Sequence, residues 1–309
     1  MLEGVQMTGT ICVVGSLNAD LTFRSTRLPS PGETLAAHGF RIASGGKGGN
    51  QAVMAARLGA EVEMVGRVGD DVFGRQLLEA LRAQGVGIAH VGLDETVSTG
   101  VAGIVVDDAG RNCILVAAGA NGSLTPDLVR HAAGAIRAAR VVLCQLEVPI
   151  EATLEAFRLA RAAGVRTVLT PAPVRQVPEE LMRLTDVCVL NETEAATLAG
   201  SAHRPGMELQ RRGVAEVIVT LGERGCVLSG PAGESAFAAP VVAAIDTTGA
   251  GDAFVGALAV GLAEGMSLRD AIPRATAAAA LSVTRAGAQA SYPSRAEVEA
   301  FLSTQAVPR

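Results

Sequence analysis

Residues 140–169 read RVVLCQLEVPIEATLEAFRLARAAGVRTVL and carry the pattern that decides the fold. The apolar runs 140–146 and 166–169 are short and rich in β-branched residues, which is typical of buried strands. The longer segment between them, 150–163, is typical of a helix. A strand, a helix and a second strand in this order predict a right-handed βαβ unit with parallel strands.

The same alternation extends along the chain on both sides of this unit. Further strands are predicted over 10–15, 62–68, 187–190, 216–221 and 226–229, the last two as a pair. Helices are predicted over 51–58, 73–83, 126–138, 192–198, 268–284 and 295–302, with an interruption at Pro273. The fold class is therefore α/β, with a mostly parallel central sheet and helices on both faces.

A second, smaller sheet is predicted from two segments that do not follow this alternation. Residues 100–106 and 112–117 are β-rich runs, and the turn sequence DDAG at 107–110 joins them into a hairpin. The segment 21–43 contains two further short possible strands. A small sheet needs burial on one face, so we expect it to cover the site or to pair with another subunit.

Composition excludes several classes of protein. The 309 residues carry a net charge of −5, which argues against nucleic acid as the main partner. No apolar run reaches the roughly 18 residues of a membrane span, and Met1–Met7 lacks the pattern of a signal peptide, so we expect a cytoplasmic protein. The five cysteines occur singly, without a CxxC pair that would indicate zinc or a disulfide framework.

Residues 244–254, which read AIDTTGAGDAF, are the strongest candidate for the site of chemistry. A helical pattern begins near Gly249 or Ala250, and a helix start offers unpaired N–H groups and partial positive charge to an anion such as phosphate. Asp252 would lie in the first turn, where a general base for phosphoryl transfer belongs. An acidic first turn is also an ordinary helix start, so this stretch alone leaves both interpretations open.

Polar residues follow several predicted strands, at the end of a parallel sheet where ligands bind. Asn18 and Asp20 follow the first strand, Glu147 follows residue 146, and NETE and TLGERG occupy 191–194 and 220–225. The glycine cluster SGGKGGN at 44–50 contains the only lysine of the chain, Lys47, but it is not a P-loop. Each feature alone could serve in a turn or a helix cap; together they indicate one crevice.

These residues resemble the ribokinase family of sugar kinases, the PfkB-type carbohydrate kinases, over essentially the whole chain. The resemblance rests on GGKGGNQAV at 45–53 and DTTGAGDAF at 246–254, with GSLNAD at 15–20, NETE and TLGERG in the family's order. It implies a three-layer α/β/α domain over 8–20, 44–95 and 119–309, with a β-sheet lid over 21–43 and 96–118 that often mediates dimerisation. It also implies transfer of the ATP γ-phosphoryl group to a sugar hydroxymethyl group.

The resemblance further implies roles for individual residues of this chain. Asp252 would accept the hydroxyl proton, while Gly249, Ala250 and Gly251 form an anion hole. The implied sugar ligands are Asn18, Asp20, Gly46, Lys47, Asn50 and Glu147, together with Asp252. The implied nucleotide contacts are Asn191, Thr220, Gly222, Gly225, Gly251 and Thr276.

Two cation sites are implied in the same way. Asn191 and Glu194 would position Mg²⁺ through water. Asp246 and Ser291, with backbone oxygens of Thr248, Ser282, Arg285 and Gly287, resemble the family's site for a monovalent cation, usually potassium. The chain departs from the family pattern at Thr170 and Thr276, where asparagine, or at the second position also histidine, is usual; both changes could shift nucleotide preference.

The polar residues Asn18, Asp20, Asn50 and Glu147 form a compact set that suits a small polyol. The leading hypothesis is therefore phosphorylation of D-ribose by ATP, giving D-ribose 5-phosphate and ADP. Sibling kinases for fructose, deoxyribose or a 2-keto-3-deoxy acid remain open, and for such an acid Arg24, Arg27 or Arg41 could serve. Aromatic residues are only 3% of the chain, which makes a base-stacking nucleoside kinase less attractive. From a different class, a non-catalytic sugar-binding regulatory protein could keep this fold. An exposed lid sheet favours a homodimer.

Overall fold

Thirteen strands build two separate sheets in the computed structural model, which describes residues 9–305. The expectations for Met1–Met7, and the predicted domain ends at 8 and 309, lie outside these residues. In chain order the strands are β1 (Thr10–Val14), β2 (Asn18–Ser25), β3 (Gly39–Gly45), β4 (Glu61–Gly69), β5 (Val86–Asp94), β6 (Gly100–Asp107), β7 (Asn112–Ala117), β8 (Val141–Gln145), β9 (Arg166–Thr170), β10 (Val187–Asn191), β11 (Glu216–Thr220), β12 (Cys226–Gly230) and β13 (Gly233–Phe237).

The larger sheet has nine strands in the order β13-β12-β11-β10-β9-β8-β1-β4-β5. From β5 to β11 every neighbouring pair is parallel, and β12 and β13 add an antiparallel edge. The prediction of a mostly parallel sheet is confirmed. Its central strands are buried on both faces, which explains why they appear in the sequence as continuous apolar runs.

Eleven α-helices accompany the sheets in the described part of the chain. They are α1 (Lys47–Arg57), α2 (Val72–Ala83), α3 (Pro126–His131), α4 (Ala133–Ala138), α5 (Ile150–Ala162), α6 (Glu179–Arg183), α7 (Glu192–Ala199), α8 (Pro205–Arg211), α9 (Ala250–Ala263), α10 (Leu268–Ser282) and α11 (Arg295–Gln305). One apolar core joins the sheet to α1, α2, α9, α10 and α11. A second core joins its other face to α3 through α8, so the three-layer α/β/α architecture is confirmed.

The smaller sheet has four strands in the order β3-β2-β6-β7. β2 pairs antiparallel with β3 and parallel with β6, and β6 and β7 form the predicted hairpin. The small sheet predicted beside the main one is therefore present. Its strands begin at Asn18 and reach Gly45, beyond the segment 21–43. The division into a main domain and a lid at 21–43 and 96–118 stays a prediction.

Several elements differ from their sequence-based predictions. β5, β13, α6 and α8 were not predicted, because none of them presents a sustained apolar period. The helix predicted over 126–138 is two short helices that meet at Ala132. The helix predicted from 51 begins earlier, at Lys47, so Gly48 and Gly49 lie within its first turn.

The predicted interruption at Pro273 is wrong, because α10 continues through it. Proline lacks the N–H that would bond four residues back, so the helix forgoes one hydrogen bond in its second turn. α10 nevertheless packs closely on α9, where a Cβ on Gly261 would lie 2.8 Å from the Ala271 Cβ. Burial of this face outweighs the local cost. Among residues 9–305, no helix combines the length and apolar character needed to cross a membrane.

Candidate active site

The candidate site lies where the carboxyl ends of the parallel strands meet the small sheet. The chain leaves β1 at Val14 and enters β2 of the small sheet at Asn18, only a few residues later. It returns from β3 into α1 through Gly46. Side chains near these two crossings therefore project into the space between the sheets. This is the ligand-binding edge of an open α/β sheet.

Asp252 lies in the first turn of α9 and is 7% exposed. Its Oδ2 accepts a hydrogen bond from Asn50 Nδ2 at 3.0 Å, and its Oδ1 accepts one from Gln51 Nε2 at 3.0 Å. Gly249 caps the helix with φ of 75°, a left-handed conformation that favours glycine. The turn thus presents a fixed carboxylate beside the N–H groups of a helix start, of which that of Ala250 donates to Thr247 O at 3.2 Å.

The glycine cluster shapes the start of α1 against the loop after β1. Gly46 caps α1 with φ of 82°, and a Cβ there would lie 2.8 Å from Asn18 N. Glu147 Oε2 accepts hydrogen bonds from the Lys47 backbone N–H at 3.0 Å and from the Ser16 hydroxyl. Glu147 therefore joins the end of β8 to both crossings between the sheets.

Two side chains from β2 enter the same space. Asn18 is buried, and its Oδ1 accepts a hydrogen bond from Asn121 Nδ2 at 2.8 Å. The pKa of Asp20 is raised to about 7, chiefly by burial and also by the nearby charges of Glu147 and Asp252, against the opposing effect of Arg41. Asp20, Glu147 and Asp252 thus form a group of three neighbouring carboxylates.

The side chain of Lys47 supplies positive charge to this group. The carboxylate of Asp252 raises the pKa of Lys47, burial opposes the rise, and Glu147 and Glu194 add to it. The lysine therefore stays charged when the site is closed to solvent. Three carboxylates, the amides of Asn18 and Asn50 and one ammonium can together form hydrogen bonds with several hydroxyl groups of a small polyol.

A cleft of about 560 Å³ opens on the other side of the α9 start. Thr220, Gly222 and Gly225 line one part of it, while Gly251 and Thr276 line another. The rest of its wall is largely apolar and includes residues of the segment 239–244. The polar side chains around Asp252 and this largely apolar cleft therefore meet at one helix start, at Gly249, Ala250 and Gly251.

Asn191 and Glu194 lie outside the lining of this cleft and form a capping box at the start of α7. Asn191 Oδ1 accepts from the Glu194 N–H at 2.8 Å, and Glu194 Oε2 accepts from the Asn191 N–H at 2.9 Å. One carboxylate oxygen of Glu194 is not used by the box. No group of three acidic, histidine or cysteine side chains in residues 9–305 could hold a metal by itself.

The loop before α9 meets the loop after α10 at Asp246. Its Oδ1 accepts from the Thr248 N–H at 2.9 Å and from the Thr248 hydroxyl at 2.6 Å, and its Oδ2 accepts from the Gly287 N–H at 2.8 Å. Burial raises the pKa of Asp246, but these hydrogen bonds outweigh it and lower the pKa overall. Asp246 therefore connects the two loops. Its role differs from that of Asp252, because its hydrogen bonds go to the loops and not to the polar residues around Asn50.

The remaining residues expected at a monovalent-cation site lie at the end of α10 and in the segment that follows it. The Ser282 carbonyl accepts from the Arg285 N–H at 3.3 Å, and the Ser291 hydroxyl donates to Ala288 O at 2.8 Å. Within residues 9–305, the carbonyl oxygens of Arg285 and Gly287 accept no backbone hydrogen bond outside regular elements. A carboxylate with such carbonyl oxygens is a donor set that suits a hard or alkali cation.

Comparison with known proteins identifies the family. The model of the pfkB family carbohydrate kinases matches residues 8–295. The chain belongs to this family. The ribokinase of Mus musculus is 40% identical over 304 residues, covering 94% of this chain and 94% of the mouse protein. The deoxyribokinase of Salmonella typhi is 36% identical over 301 residues, covering 95% of this chain and 98% of its own.

A solved structure of Arabidopsis thaliana ribokinase, complexed with ribose and ATP, superposes on this chain with a TM-score of 0.90. The two chains are 33% identical, and the match covers 96% of this chain and 99% of the plant protein. This chain is thus a pfkB-family carbohydrate kinase with a ribokinase-like fold. The family membership agrees with the two glycine-bearing helix starts, each of which lies at the candidate site.

Sequence analysis missed several residues that support the site of this pfkB-family kinase. Gln51 and Gln145 connect Asp252 to the protein interior, and Gln289, in the segment after α10, donates to Asn50. Asn121 holds the loop at Leu17 and Asn18 through three hydrogen bonds. Gln51 lies within the motif GGKGGNQAV at 45–53, but no role was predicted for it; the others lie in no recognised motif.

The two departures from the family pattern lie in different places. Thr276 lines the large cleft, and its hydroxyl donates to Ile272 O at 2.8 Å within α10. Thr170 does not line that cleft; its Oγ1 accepts a hydrogen bond from Gln51 Nε2 at 3.4 Å. An effect on the nucleotide is therefore a reasonable expectation for Thr276, whereas Thr170 lies beside the support of Asp252.

Proposed function

We propose that this chain transfers the γ-phosphoryl group of ATP to the 5-hydroxyl of D-ribose, giving D-ribose 5-phosphate and ADP. The observation that carries the proposal is the position of Asp252. Its carboxylate is held by Asn50 and Gln51 at the start of α9, and the preceding residues Ala250 and Gly251 line the large cleft of about 560 Å³. Phosphoryl transfer needs an acceptor hydroxyl and a nucleotide on opposite sides of one fixed base and anion-binding turn.

At the sugar end, the proposed ligands are Asn18, Asp20, Gly46, Lys47, Asn50 and Glu147. Support comes from their arrangement around the two crossings between the sheets, where Glu147 contacts the start of α1 and Asn18 is held by Asn121. Carboxylates and amides are suitable partners for the adjacent hydroxyl groups of a pentose. We choose D-ribose as the proposed acceptor because ribokinases are among the relatives of this chain.

At the reacting centre, Asp252 would accept the proton as the 5-hydroxyl attacks phosphorus, and the bond to the ADP oxygen breaks. The N–H groups of Gly249, Ala250 and Gly251 would stabilise negative charge on the transferred group. A nucleotide is proposed for the cleft lined by Thr220, Gly222, Gly225 and Thr276. Asn191 lies at the nearby end of β10 and would approach the phosphates from there.

Two cations complete the proposal. Mg²⁺ would be held by the ATP phosphates and, through water, by Asn191 and Glu194, since Mg²⁺ commonly keeps water and uses only one or two carboxylates. Potassium would bind at Asp246, Ser291 and the carbonyls of Thr248, Ser282, Arg285 and Gly287. The hydrogen bonds of Asp246 to Thr248 and Gly287 support an ordering role for this site, because they connect it to the α9 turn.

We also propose a cytoplasmic homodimer that associates through the small sheet. One face of this sheet carries Phe23, Phe40, Ile42 and Leu115, all of them exposed. Pairing of β2 with β3 and β6 places these side chains on one face and Asp20 on the other. An apolar face opposite the sugar side suits a second copy of the same sheet.

A coupled ADP-release assay with a panel of acceptors tests the function directly. The panel contains D-ribose, 2-deoxyribose, fructose, a 2-keto-3-deoxy acid and adenosine, each with Mg²⁺ and with or without potassium. The proposal expects the highest kcat/KM with D-ribose and a loss of rate without either cation. Preference for a hexose would contradict the ribose assignment, and binding without turnover of any acceptor would favour a regulatory sugar-binding protein.

Deoxyribose is the second candidate, because a deoxyribokinase is 36% identical over most of this chain. The two sugars differ only by the 2-hydroxyl. A site that hydrogen-bonds this hydroxyl would discriminate strongly against its absence, since buried polar partners would lose their acceptor or donor. The ratio of kcat/KM for the two sugars therefore decides between them.

A further inference from the structure

A chain of two buried glutamines supports the carboxylate of Asp252 from the protein interior. We propose that Gln51, held by Gln145, is a positioning residue that fixes the orientation of this carboxylate toward the acceptor hydroxyl. The inference rests on the proposed function, because it assigns Asp252 the role of base. It adds two residues to the machinery of that reaction, neither of which faces the sugar or nucleotide pockets described above.

Gln51 is fully buried, and each hydrogen-bonding group of its amide is used. Nε2 donates to Asp252 Oδ1 at 3.0 Å and to Thr170 Oγ1 at 3.4 Å. Oε1 accepts from Gln145 Nε2 at 2.7 Å. Gln145 is also fully buried and lies at the end of the central strand β8. The sheet thereby reaches the catalytic carboxylate through two amides.

The direction of this chain is set by Asp252. An ionised carboxylate only accepts hydrogen bonds, so Gln51 must turn its NH₂ group toward it. Gln51 Oε1 then needs a donor, and Gln145 must supply its own NH₂ group. The other end of Gln145, Oε1, consequently has no hydrogen-bond partner among residues 9–305, and a Cβ on Gly15 would lie only 2.0 Å from it.

Burying two amide side chains removes their hydrogen bonds to water, so fold stability alone does not favour glutamines at these two fully buried positions. An apolar pair of similar shape would avoid the cost. The arrangement therefore points to a requirement at the other end of the chain, where Gln51 meets the carboxylate. The terminal torsion of an aspartate is soft, so a hydrogen bond to each oxygen is needed to hold one orientation.

Asn50 and Gln51 divide this task between the two oxygens of Asp252. Asn50 binds Oδ2, but it also lies in the proposed sugar pocket and is itself held by Gln289 at 3.1 Å. Gln51 binds Oδ1 and has no polar contact outside the interior. Loss of Gln51 should therefore disturb the base while leaving the sugar contacts of Asn50 in place.

Steady-state kinetics of Gln51→Met, Gln145→Met and the double variant test the proposal. For Gln51→Met we expect kcat to fall by ~10- to ~100-fold with the KM for ribose nearly unchanged, because a small misplacement of a reacting group has effects of this size. Gln145→Met should have a smaller effect, since Gln51 remains but is free to turn. The double variant should match Gln51→Met, because the two residues act in series.

Gln51→Glu adds a pH-dependent readout that a purely structural role would not produce. Two facing carboxylates share one proton, and its loss as the pH rises places two negative charges together. The kcat of Gln51→Glu should therefore decline with rising pH, relative to wild type and to Gln51→Met. Lys47, Asp20 and Glu147 face the same space in every variant, so comparing the variants with one another removes their contribution.

Thr185→Val is the control for stability, because Thr185 is buried at the opposite, amino-terminal end of β10 and donates to Leu181 O. It should lower the thermal midpoint without changing kcat. Equal kcat in wild type and Gln51→Met would overturn the inference. So would a double variant whose losses simply multiply, or a Gln51→Glu pH profile like that of wild type. A wild-type enzyme that phosphorylates no sugar would instead remove the proposed function and the inference together.

Discussion

Asp252 is the residue on which the proposed chemistry depends. Its replacement by alanine should reduce kcat by about 10²- to 10⁴-fold, the range for loss of a general base. The KM for ribose should change little, because Asn18, Asp20 and Glu147 lie on other elements. Steady-state kinetics with D-ribose and ATP measure both quantities. Glu79→Ala, which replaces an exposed acidic residue on α2, serves as the control. A kcat of Asp252→Ala within a few-fold of wild type would exclude Asp252 as the general base.

Asp20 should make sugar binding depend on pH. Burial and the neighbouring carboxylates raise its pKa to about 7, so its charge is lost in the folded protein as the pH falls through that value. A protonated carboxyl accepts fewer hydrogen bonds from sugar hydroxyls. The KM for ribose should therefore rise as the pH is lowered from 8 toward ~6. Asp20→Asn should bind ribose weakly at every pH; an unchanged pH dependence in this variant would contradict the assignment.

The raised pKa of Asp20 also determines how this residue changes the stability of the fold with pH. A folded-state pKa above the unfolded value means that the folded protein binds the proton more tightly. Asp20 therefore stabilises the fold below the unfolded pKa, and this contribution is lost as the pH rises through about 7. Ribose affinity and stability should thus change in opposite directions with pH, as far as this residue determines them.

At the level of single residues, sequence analysis predicted the groups that lie in glycine motifs and at strand ends. It did not find Gln51 as a partner of Asp252, because these positions are 201 residues apart and a buried amide leaves no periodic pattern. Asn121 was missed for the same reason, although it makes three hydrogen bonds to the loop at Leu17. Contacts between distant segments depend on the packing of the sheet, which local sequence does not encode.

At the level of the elements, the start of α9 contains two glycines with different roles, Gly249 for the backbone conformation and Gly251 for the proposed anion site. Gly249 has φ of 75°, and an added Cβ would lie 2.7 Å from the Tyr292 hydroxyl. Gly251 has open space at the same position. Gly249→Ala should therefore cost about 1–3 kcal/mol of unfolding free energy through backbone strain alone. Gly251→Ala should fold with nearly wild-type stability, because the added methyl group meets open space. It should lose activity, because Gly251 lines the cleft proposed for the nucleotide.

Thermal or urea unfolding, with kinetics on the same samples, separates the two effects. A stable Gly249→Ala would mean that the turn can adopt another conformation. Full activity in Gly251→Ala would argue against an anion site at this turn. The pair is matched, because both variants add one methyl group within the same loop-to-helix junction.

Regular elements were predictable where burial dictated their pattern. The inner strands of the parallel sheet are largely apolar, and their positions agree with the sequence within one or two residues, as for β8 and β10. The edge strand β5 was missed, because it is only partly buried and contains Gly87 and Gly92. The continuity of α10 through Pro273 was predicted wrongly, since packing on α9 is not visible in local propensity.

At the scale of the whole molecule, the position of the site follows from how the two sheets are connected. β1 and β2 belong to different sheets and are separated by residues 15–17, while β3 leads directly into α1. Any movement of the small sheet would therefore carry Asn18 and Asp20 with it and would change their distance from Asp252. A change in the support of this sheet, such as association with a second copy, should affect ribose binding.

The apolar face of the small sheet gives the last prediction. Leu115 is 76% exposed on this face, at the opposite edge of the sheet from Ile42 and Phe40. The rings of Phe23 and Phe40 are tilted against each other, with centroids 4.9 Å apart. Leu115→Glu should convert a dimer into monomers, because burial of an unpaired charge in an apolar interface is unfavourable. Sedimentation velocity measures the mass, with Val72→Glu, 58% exposed on α2, as the control. If the wild type is monomeric, or if Leu115→Glu still dimerises with unchanged affinity, this face is not the dimer interface. If Leu115→Glu is monomeric and has a raised KM for ribose, dimerisation affects the sugar site.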